Sequence, residues 1–289
     1  MAFTRRYEES EPQRVNRWLA QSGVCSRREA EGLIAQGLVS IDGETVSDPG
    51  RKIGPGQTLT LADAAEQRLE GLLTVVLNKP VGYVSGQPEP GRTPAARLIT
   101  GEALWGGTAA VPDPRTSFAP LGRLDMDSRG LLLLSQDGVL ARAVIGPESE
   151  LDKEYLVRVA GEITAEKLER LRHGLSLDGR PLRRARVDRI GPQRLRFVLR
   201  EGRNRQIRRM SELVDLRVTD LLRVRIGPLE LGELPEGRWR PLAGEERAAL
   251  LRPPAAASPA PRPAGPAAPP SRAPGPPHRR SRPGKRPAR

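Results

Sequence analysis

The sequence predicts an α+β protein in which a small N-terminal domain precedes a larger domain with a mixed, mostly antiparallel sheet. Three observations lead to this class. Near the N-terminus, apolar residues recur at helical spacing and then alternate as in strands. Beyond residue 72, strand-like and helix-like segments alternate unevenly, which does not fit a regular parallel α/β repeat. The length of 289 residues fits about two domains.

Changes in composition divide the chain into five segments. Residues 1–12 form a polar lead-in, residues 13–62 the small domain, and residues 63–71 a linker. The larger domain covers residues 72–250, and a disordered basic tail rich in Pro, Ala and Arg covers residues 251–289.

The net charge of +13 is distributed unevenly. Residues 252–289 contain 8 Arg, 1 Lys and 13 Pro but no acidic residue, so they carry +9 and leave +4 for the rest of the chain. A basic tail can raise the affinity for RNA without selecting a sequence. A solubilising extension explains the same composition equally well, so the tail alone assigns no function.

Composition also argues against several kinds of chemistry. One Cys and two His cannot build a structural zinc site, which needs about four such ligands. The lone Cys25 forms no internal disulfide, as expected in a reducing compartment. The sequence has neither a Walker-type loop nor a Gly-x-Gly-x-x-Gly element, so we expect neither a bound nucleotide cofactor nor a structural metal. The polar N-terminus and the absence of a long apolar run predict a cytoplasmic protein without a membrane span.

In the small domain, two helices are predicted to precede a small sheet. Apolar residues recur at helical spacing from Val15 to Leu19, and Ser26-Arg-Arg-Glu29 is a capping box for a second helix over residues 27–36. Strands are predicted at residues 39–41 and 58–61, with an Asp-Gly hairpin turn after the first.

Four arginines near the helical face are candidate RNA contacts: Arg14, Arg17, Arg27 and Arg28. On physical grounds alone, a solvated surface explains them as well as RNA binding does. The whole segment, however, resembles the S-four-like (αL) RNA-binding domain. The residues that carry this resemblance are Arg14-Val-Asn-Arg-Trp-Leu19, Gly23-Val-Cys-Ser-Arg-Arg-Glu-Ala30, Ile34, Gly37, Val39, Ile41-Asp-Gly43 and Gly56. The resemblance implies binding to structured RNA through its shape and phosphates.

The larger domain is predicted to form, in order, strands at 74–77 and 131–135, a helix over 138–145 capped by Asp137, a strand at 155–159, a helix from Thr164 to about 172, a strand at 195–199 and a basic helix over 204–214. Residues 86–118 are a long insert rich in Gly and Pro. Such loops are uncommon unless they are functional or disordered, and the sequence leaves both alternatives open.

Three motifs of this domain could meet in one pocket: Gly122-Arg-Leu-Asp125, Lys153-Glu-Tyr155-Leu-Val and Gly202-Arg-Asn-Arg-Gln-Ile-Arg-Arg-Met210. The carboxylate of Asp125 stands in a turn between two glycines, directly before the apolar run Leu131–Leu134. Taken singly, Asp125 would be a turn residue, Tyr155 a core residue and Arg208 a surface charge.

Together with Leu77-Asn-Lys-Pro-Val-Gly82, Gly130-Leu-Leu-Leu-Leu134, Asp137-Gly138 and Gly237-x-Trp239, these motifs resemble the RsuA/RluB/RluE/RluF family of RNA pseudouridine synthases over residues 13–242. The resemblance implies site-specific isomerisation of uridine to pseudouridine in RNA, most of all in large-subunit (23S) ribosomal RNA, without a cofactor. The alternatives are transfer RNA as the substrate, or an RNA-binding assembly factor with secondary or lost catalysis. We expect a monomer.

The resemblance also implies roles for individual residues. Asp125 is the catalytic carboxylate, Tyr155 stacks on a base flipped out of its helix, and Arg208 pairs with Asp125 and fixes its orientation. Asp127 is expected to support the turn. The candidate RNA contacts of this domain are Lys79 and Arg123, which contact phosphate or hold the loop, and Arg203, Arg205 and Arg209, which face RNA phosphates or acids within the protein.

Overall fold

The computed structural model describes residues 3–86 and 90–252. The predicted tail therefore lies outside the described residues, apart from its first two positions. Within the described ranges, no helix is long and apolar enough to cross a membrane.

The N-terminal domain contains the two predicted helices followed by the predicted strands, with two short strands before them and a third helix after them. Its elements are β1 (Thr4–Arg6), β2 (Gln13–Arg14), α1 (Val15–Gln21), α2 (Arg27–Ala35), β3 (Val39–Ile41), β4 (Glu44–Thr45), β5 (Lys52–Ile53), β6 (Thr58–Leu61) and α3 (Asp63–Glu70). Strands pair in the order β1-β6-β3-β4, and β2 pairs with β5. The capping box of α2 is present, because the Ser26 side chain accepts from the Glu29 amide and the Glu29 carboxylate accepts from the Ser26 amide.

Two segments at the borders of this domain differ from the expectation. The polar lead-in contains β1, whose Thr4 pairs with Thr60 of β6, and Tyr7, which is fully buried and packs edge-on against Trp18. This strand is not recognisable in the sequence, because it lies at the edge of its sheet and its three residues are all exposed. The expected linker is α3, with acidic residues in its first turn and Ala65 buried against the domain core.

The larger domain is built on one sheet with seven strands in its main path. Its elements are β7 (Thr74–Lys79), β8 (Ala119–Pro120), β9 (Arg129–Ser135), α4 (Gly138–Ile145), β10 (Lys153–Ala160), α5 (Ala165–Arg172), β11 (Ser176–Leu177), β12 (Arg180–Pro181), β13 (Arg186–Gly191), β14 (Arg194–Leu199), α6 (Gln206–Glu212), β15 (Arg217–Ile226), β16 (Leu229–Glu230), β17 (Trp239–Pro241) and α7 (Gly244–Leu251).

The main sheet follows the order β13-β14-β10-β15-β9-β7-β17, with β16 and β8 paired alongside β15 and β9. Only the β15–β9 pairing is parallel among the described strands, so the sheet is mixed and mostly antiparallel, as predicted. Leu131–Leu134 of β9 are buried on both faces of the sheet, and successive residues belong to two different core clusters. This explains why β9 is an uninterrupted apolar run.

The longest strand, β15, was not predicted from the sequence. Four charged residues interrupt its apolar residues: Arg217, Asp220, Arg223 and Arg225. The strand lies at the centre of the sheet, between β10 and β9. Of its charged residues, Arg223 is buried inside the fold, Asp220 and Arg225 are half-buried, and Arg217 is exposed.

Residues 90–118 of the Gly- and Pro-rich insert are described, and part of this segment is packed. A 3₁₀ helix spans Ala95–Leu98, and Ala95 is fully buried in the core. Farther along, the indole nitrogen of Trp239 donates to the carbonyl of Thr100 at 2.7 Å. The insert therefore packs against β17, the strand at one edge of the main sheet.

The two domains are joined by direct contacts at the N-terminus of α4. The Glu29 carboxylate accepts from the Gly138 amide at 2.8 Å, while its other oxygen completes the capping box of α2. Arg142 of α4 donates to the Ala20 carbonyl at 3.1 Å. One carboxylate thus satisfies amides at the start of two helices from different domains.

Replacing Gly138 with Ala should loosen this junction. A Cβ at this position would lie 2.2 Å from the Ser26 Cβ and 2.5 Å from its hydroxyl, which leaves no room for a methyl group. We expect a loss of about 1–3 kcal/mol in the free energy of unfolding, measured by chemical denaturation. Gly32→Ala is the matched control, because no atom lies within 4 Å of its Cβ position in α2 and alanine favours the helix. Equal stability of the two variants would contradict the close contact.

Candidate active site

A cleft of about 720 Å³ opens beside the sheet and brings the three predicted catalytic residues together. Its walls are the turn before β9, the loop after α4, the first residues of β10, and the segment between β14 and α6. Asp125, Tyr155 and Arg208 all line this cleft. The three motifs, which lie far apart in sequence, therefore meet as predicted.

The turn that carries Asp125 depends on two glycines in the left-handed region. Gly122 has φ +89° and Gly130 has φ +108°. A Cβ on Gly130 would stand 2.3 Å from the Arg223 carbonyl oxygen, at the point where β9 begins to pair with β15. Only glycine allows the turn to enter the sheet at this place.

Two buried cations hold the main chain of this turn. Lys79 is fully buried, and its ammonium donates to the Ser128 carbonyl at 2.7 Å and the Pro80 carbonyl at 2.8 Å. Arg223 is 1% exposed and donates from Nε to the Leu131 carbonyl at 2.7 Å. Burial lowers the pKa of Lys79 to about 8, with a further contribution from the Arg223 charge, although Asp127 and Asp125 oppose the shift.

Arg208 also holds the turn, but not through the predicted ion pair with Asp125. Its Nη2 donates to the Asp127 carbonyl at 2.8 Å and to the Ser128 hydroxyl at 3.2 Å, and lies 3.3 Å from Oδ1 of Asp127. Among the described residues, no contact within 4.0 Å joins Arg208 to Asp125. In this structure the guanidinium instead contacts the base of the turn at Asp127 and Ser128, two and three residues beyond Asp125.

Arg205 is the cation that approaches Asp125. Its Nη1 lies 3.7 Å from Oδ2 of Asp125, and its two terminal nitrogens donate to the Asp127 carboxylate at 3.2 and 3.0 Å. Arg205 has φ +49°, a left-handed conformation that costs about 1–2 kcal/mol for a non-glycine residue. It stands directly before α6, which begins at Gln206, two residues later than predicted.

Asp127 supports the turn, as expected. Burial raises its pKa, but the hydrogen bond from Arg205 and the charges of Arg208 and Arg205 outweigh this, so the pKa of Asp127 lies below its ordinary value. The carboxylate is thereby tied to two guanidinium groups, whereas Asp125 has one more distant ion pair.

Tyr155 lies on β10, where it belongs to the apolar core and also lines the cleft. The residue is 9% exposed, and no residue in the described ranges forms a hydrogen bond with its hydroxyl. In the neighbouring turn, the Leu124 amide and carbonyl both bond to the Ser85 hydroxyl, at 2.9 and 2.7 Å. The residue before Asp125 is therefore fixed on its main chain.

The candidate RNA contacts of this domain divide into three groups. Lys79 is buried and cannot touch RNA, so the alternative role of holding the loop applies. Arg203 and Arg209 bond within the protein, Arg203 to three carbonyls of the 177–181 hairpin and Arg209 to the carboxylate of Asp178. Arg205 is bound to acids as described above, and the exposed Arg123 lines the cleft.

In the N-terminal domain, the four candidate arginines are all exposed. Arg14, Arg17 and Arg27 line one concave surface, which Lys52 also borders, while Arg28 is not among its lining residues. The structure thus groups three of the four predicted cations and adds a fifth basic residue that the sequence did not single out.

Three residues that shape the cleft were not assigned a role from the sequence: Ser85, Lys153 and Arg223. For Arg223 a signal exists. It stands two residues after Leu221, on the same face of the strand, and both side chains are buried. Burying an arginine side chain on a strand costs folding free energy unless its guanidinium is paired or hydrogen-bonded, so such a residue indicates a structural or functional role. Among residues 3–86 and 90–252, no three His, Cys, Asp or Glu side chains group as a metal site.

Comparison with known proteins agrees with this architecture. The family model for the S4 domain matches residues 13–59, and that for RNA pseudouridylate synthase matches residues 73–213. A solved structure, "Crystal structure of pseudouridylate synthase", superposes with a TM-score of 0.57 at 25% identity and covers 82% of this chain and 99% of that one.

Three relatives extend the similarity to most of the chain. The "Uncharacterized RNA pseudouridine synthase" of Aquifex aeolicus is 34% identical over 247 residues, covering 83% of this chain and 94% of its own. The "Dual-specificity RNA pseudouridine synthase RluF" of Escherichia coli K12 is 33% identical and covers 83% and 78%. The "Ribosomal large subunit pseudouridine synthase B" of Pseudomonas aeruginosa is 34% identical and covers 81% and 60%.

An S4 domain joined to a domain of the RNA pseudouridylate synthase family defines an enzyme that modifies RNA. The chain belongs to the RNA pseudouridine synthases, in the RsuA/RluF-type family, and is therefore an isomerase. The family resemblance seen in the sequence motifs is confirmed.

Arg208→Lys should severely impair turnover although it keeps the charge. A lysine cannot reproduce the bonds that the guanidinium makes with Asp127 and Ser128, so the turn shifts. We expect kcat to fall by about 100-fold, the scale of a 1 Å misplacement, as measured by single-turnover pseudouridine formation. Arg170→Lys, an exposed arginine that donates to the Leu213 carbonyl, is the control and should stay within about twofold. Similar rates for the two variants would argue against this role of Arg208.

Lys79→Met should change how stability depends on pH. Between about pH 8 and 10.5, the unfolded lysine is protonated while the buried one is neutral, so the unfolded state binds more protons. The wild-type free energy of unfolding therefore gains up to about 1.4 kcal/mol per pH unit from this group as the pH rises through that window. The variant lacks this gain, and chemical denaturation of both proteins measures it as a difference that grows with pH. A constant difference would contradict the lowered pKa.

Proposed function

We propose that this protein converts a uridine of large-subunit ribosomal RNA to pseudouridine, with Asp125 as the catalytic carboxylate. One observation carries the choice of residue. Among the described residues, two carboxylates line the cleft, Asp125 and Glu201. Glu201 accepts from the Arg183 amide and the Gln206 amide and pairs with Arg203 at 3.4 Å. Asp125 is left available to a substrate.

The reaction requires a carboxylate beside the anomeric carbon of the ribose. The bond between uracil N1 and the sugar C1′ breaks, the base turns, and a new bond forms between C1′ and C5 of the base. The proton on C5 is then lost and one is taken up at N1, so the product is an isomer of the substrate. Asp125 either attacks C1′ or removes a sugar proton, and both routes need it ionised and facing the ribose.

Tyr155 is placed to hold the base. Its ring is fixed in the sheet while its hydroxyl has no hydrogen bond within the described chain, so the ring can stack on a flipped uracil and the hydroxyl can help remove the C5 proton. Arg205 and Arg208 complete the arrangement by holding the turn below the carboxylate. These contacts support a role for Arg208 in positioning the turn.

Exposed cations around the cleft fit an RNA ligand. Arg123, Arg183 and Arg200 line it, are exposed, and make no ion pair within 4.0 Å among the described residues. Together with Arg14, Arg17 and Arg27 on the S4 domain, they provide contacts for the phosphates on either side of a flipped nucleotide.

The choice of ribosomal RNA is supported by a relative whose name specifies the large ribosomal subunit. A second candidate, an additional RNA such as transfer RNA, is favoured by the words "Dual-specificity" in the name of another.

Replacing Asp125 with Asn should abolish pseudouridine formation while RNA binding persists, because the side chain keeps its shape and loses its charge. Pseudouridines are mapped chemically across ribosomal and transfer RNA in a strain that lacks the gene and carries either wild type or the variant. We expect one or more uridines of large-subunit RNA to be modified only with wild type. A site that appears only in transfer RNA would reassign the substrate, and modification by Asp125→Asn would reject Asp125 as the carboxylate.

A further inference from the structure

The floor of the cleft contains a buried cation with an unused donor. Arg223 is 1% exposed, its Nε donates to Leu131 and its Nη1 donates to the Arg123 carbonyl at 3.4 Å. Its Nη2 is buried and has no partner among the described residues. Leaving a charged donor buried without an acceptor is costly, and native proteins rarely do so without a reason.

Lys153 is a second cation in the same cleft with spare donors. Its ammonium makes one hydrogen bond, to the Leu151 carbonyl at 3.2 Å, although an ammonium has three donors. The neighbouring carboxylate of Asp152 is occupied by Arg225, at 2.7 and 3.2 Å. Tyr155 of β10 pairs with Arg223 of β15, which places Lys153 two residues along β10 from the register position of Arg223. In keeping with this placement, burial and the charge of Arg223 lower the pKa of Lys153.

The two cations have no anion of their own. Neither Arg223 nor Lys153 forms an ion pair within 4.0 Å among the described residues, yet both line the cleft that holds Asp125. The Cβ position of Gly122 is 3.9 Å from Nη1 of Arg223, so the cleft wall beside the guanidinium carries no side chain at this residue.

We propose that Arg223 and Lys153 form an anion site that takes a phosphodiester of the RNA next to the target uridine. The phosphate oxygens would accept from Nη2 of Arg223 and from the Lys153 ammonium, which satisfies the unused donors and relieves the repulsion between the two cations. This inference rests on the proposed function and goes beyond it, because it fixes where the backbone of the flipped nucleotide is held inside the cleft.

The test measures RNA binding without turnover, in full-length protein carrying Asp125→Asn. The dissociation constant for an unmodified large-subunit RNA transcript is determined as a function of salt concentration for Lys153→Gln, Lys153→Arg and the control Lys167→Gln, which replaces a lysine of α5 that is half-buried like Lys153 but lies outside the cleft. Loss of one phosphate contact should lower the log–log slope by about 0.7–0.9 in Lys153→Gln, and Lys153→Arg should restore it. A slope for Lys153→Gln equal to that of the control would overturn the proposal.

A second readout separates positioning of the RNA from damage to the fold. With Asp125 intact, Lys153→Gln should raise KM for RNA about tenfold while kcat changes less than about twofold, since the contact is made before and during the reaction. A loss confined to kcat would overturn the proposal. Arg223→Lys, checked by thermal denaturation, should likewise raise KM, because a point-charge ammonium does not reproduce the guanidinium fork, whose separate nitrogens reach Leu131, Arg123 and the phosphate.

Competition by inorganic phosphate distinguishes a site for an RNA phosphodiester from a site for a free phosphate ion. Inorganic phosphate should compete with RNA for the site of the wild-type protein, and it should compete less strongly in the Lys153→Gln variant. If phosphate binding depends on Lys153 while the RNA salt slope does not, the site serves a free anion and the phosphodiester proposal fails. Because the slope is measured without catalysis, absence of pseudouridine from wild-type reactions would reject the proposed function alone.

Discussion

The position of Asp125 depends on three buried cations that bond to the main chain of its turn. Lys79, Arg208 and Arg223 donate to carbonyls of the turn and of the first residues of β9. Their partners are neutral carbonyls, apart from the contact between Arg208 and Asp127. The turn is therefore fixed by charge-assisted hydrogen bonds, which are stronger than neutral ones, and two of the three cations, Arg208 and Arg223, also line the cleft.

Burying these three cations costs folding free energy. A buried cation loses its hydration, and carbonyl dipoles replace it only in part. The lowered pKa of Lys79 is a direct sign of this cost. The surrounding structure offsets it with β9, whose four leucines are buried on both faces, and with the close pairing of Gly130 to Arg223. The apolar core of the sheet thus stabilises a site that would be unstable by itself.

Much of this architecture could be predicted from the sequence, because its signals are local. The capping box of α2, the Asp137 cap of α4 and the apolar run of β9 each follow from short-range patterns. The central strand β15 could not be predicted, since its buried Arg223 is explained only by the turn that it holds, about a hundred residues earlier in the chain. The contact between Arg208 and Asp127 could not be predicted for the same reason, because a family pattern identifies the arginine but not which of Asp125 and Asp127 it contacts.

The arginines around the cleft show that residue type alone does not distinguish a binding residue from a structural one. Arg203, Arg205 and Arg209 stand in one basic segment, yet each is bonded to carbonyls or carboxylates of this chain. Arg183 and Arg200 lie in segments with no marked pattern, and both are exposed at the cleft without an ion pair among the described residues. A guanidinium already bonded within the protein would have to give up those bonds to bind phosphate, whereas an unpaired one gives up only water. The residues that hold RNA should therefore be sought among the unpaired cations, which only the folded chain reveals.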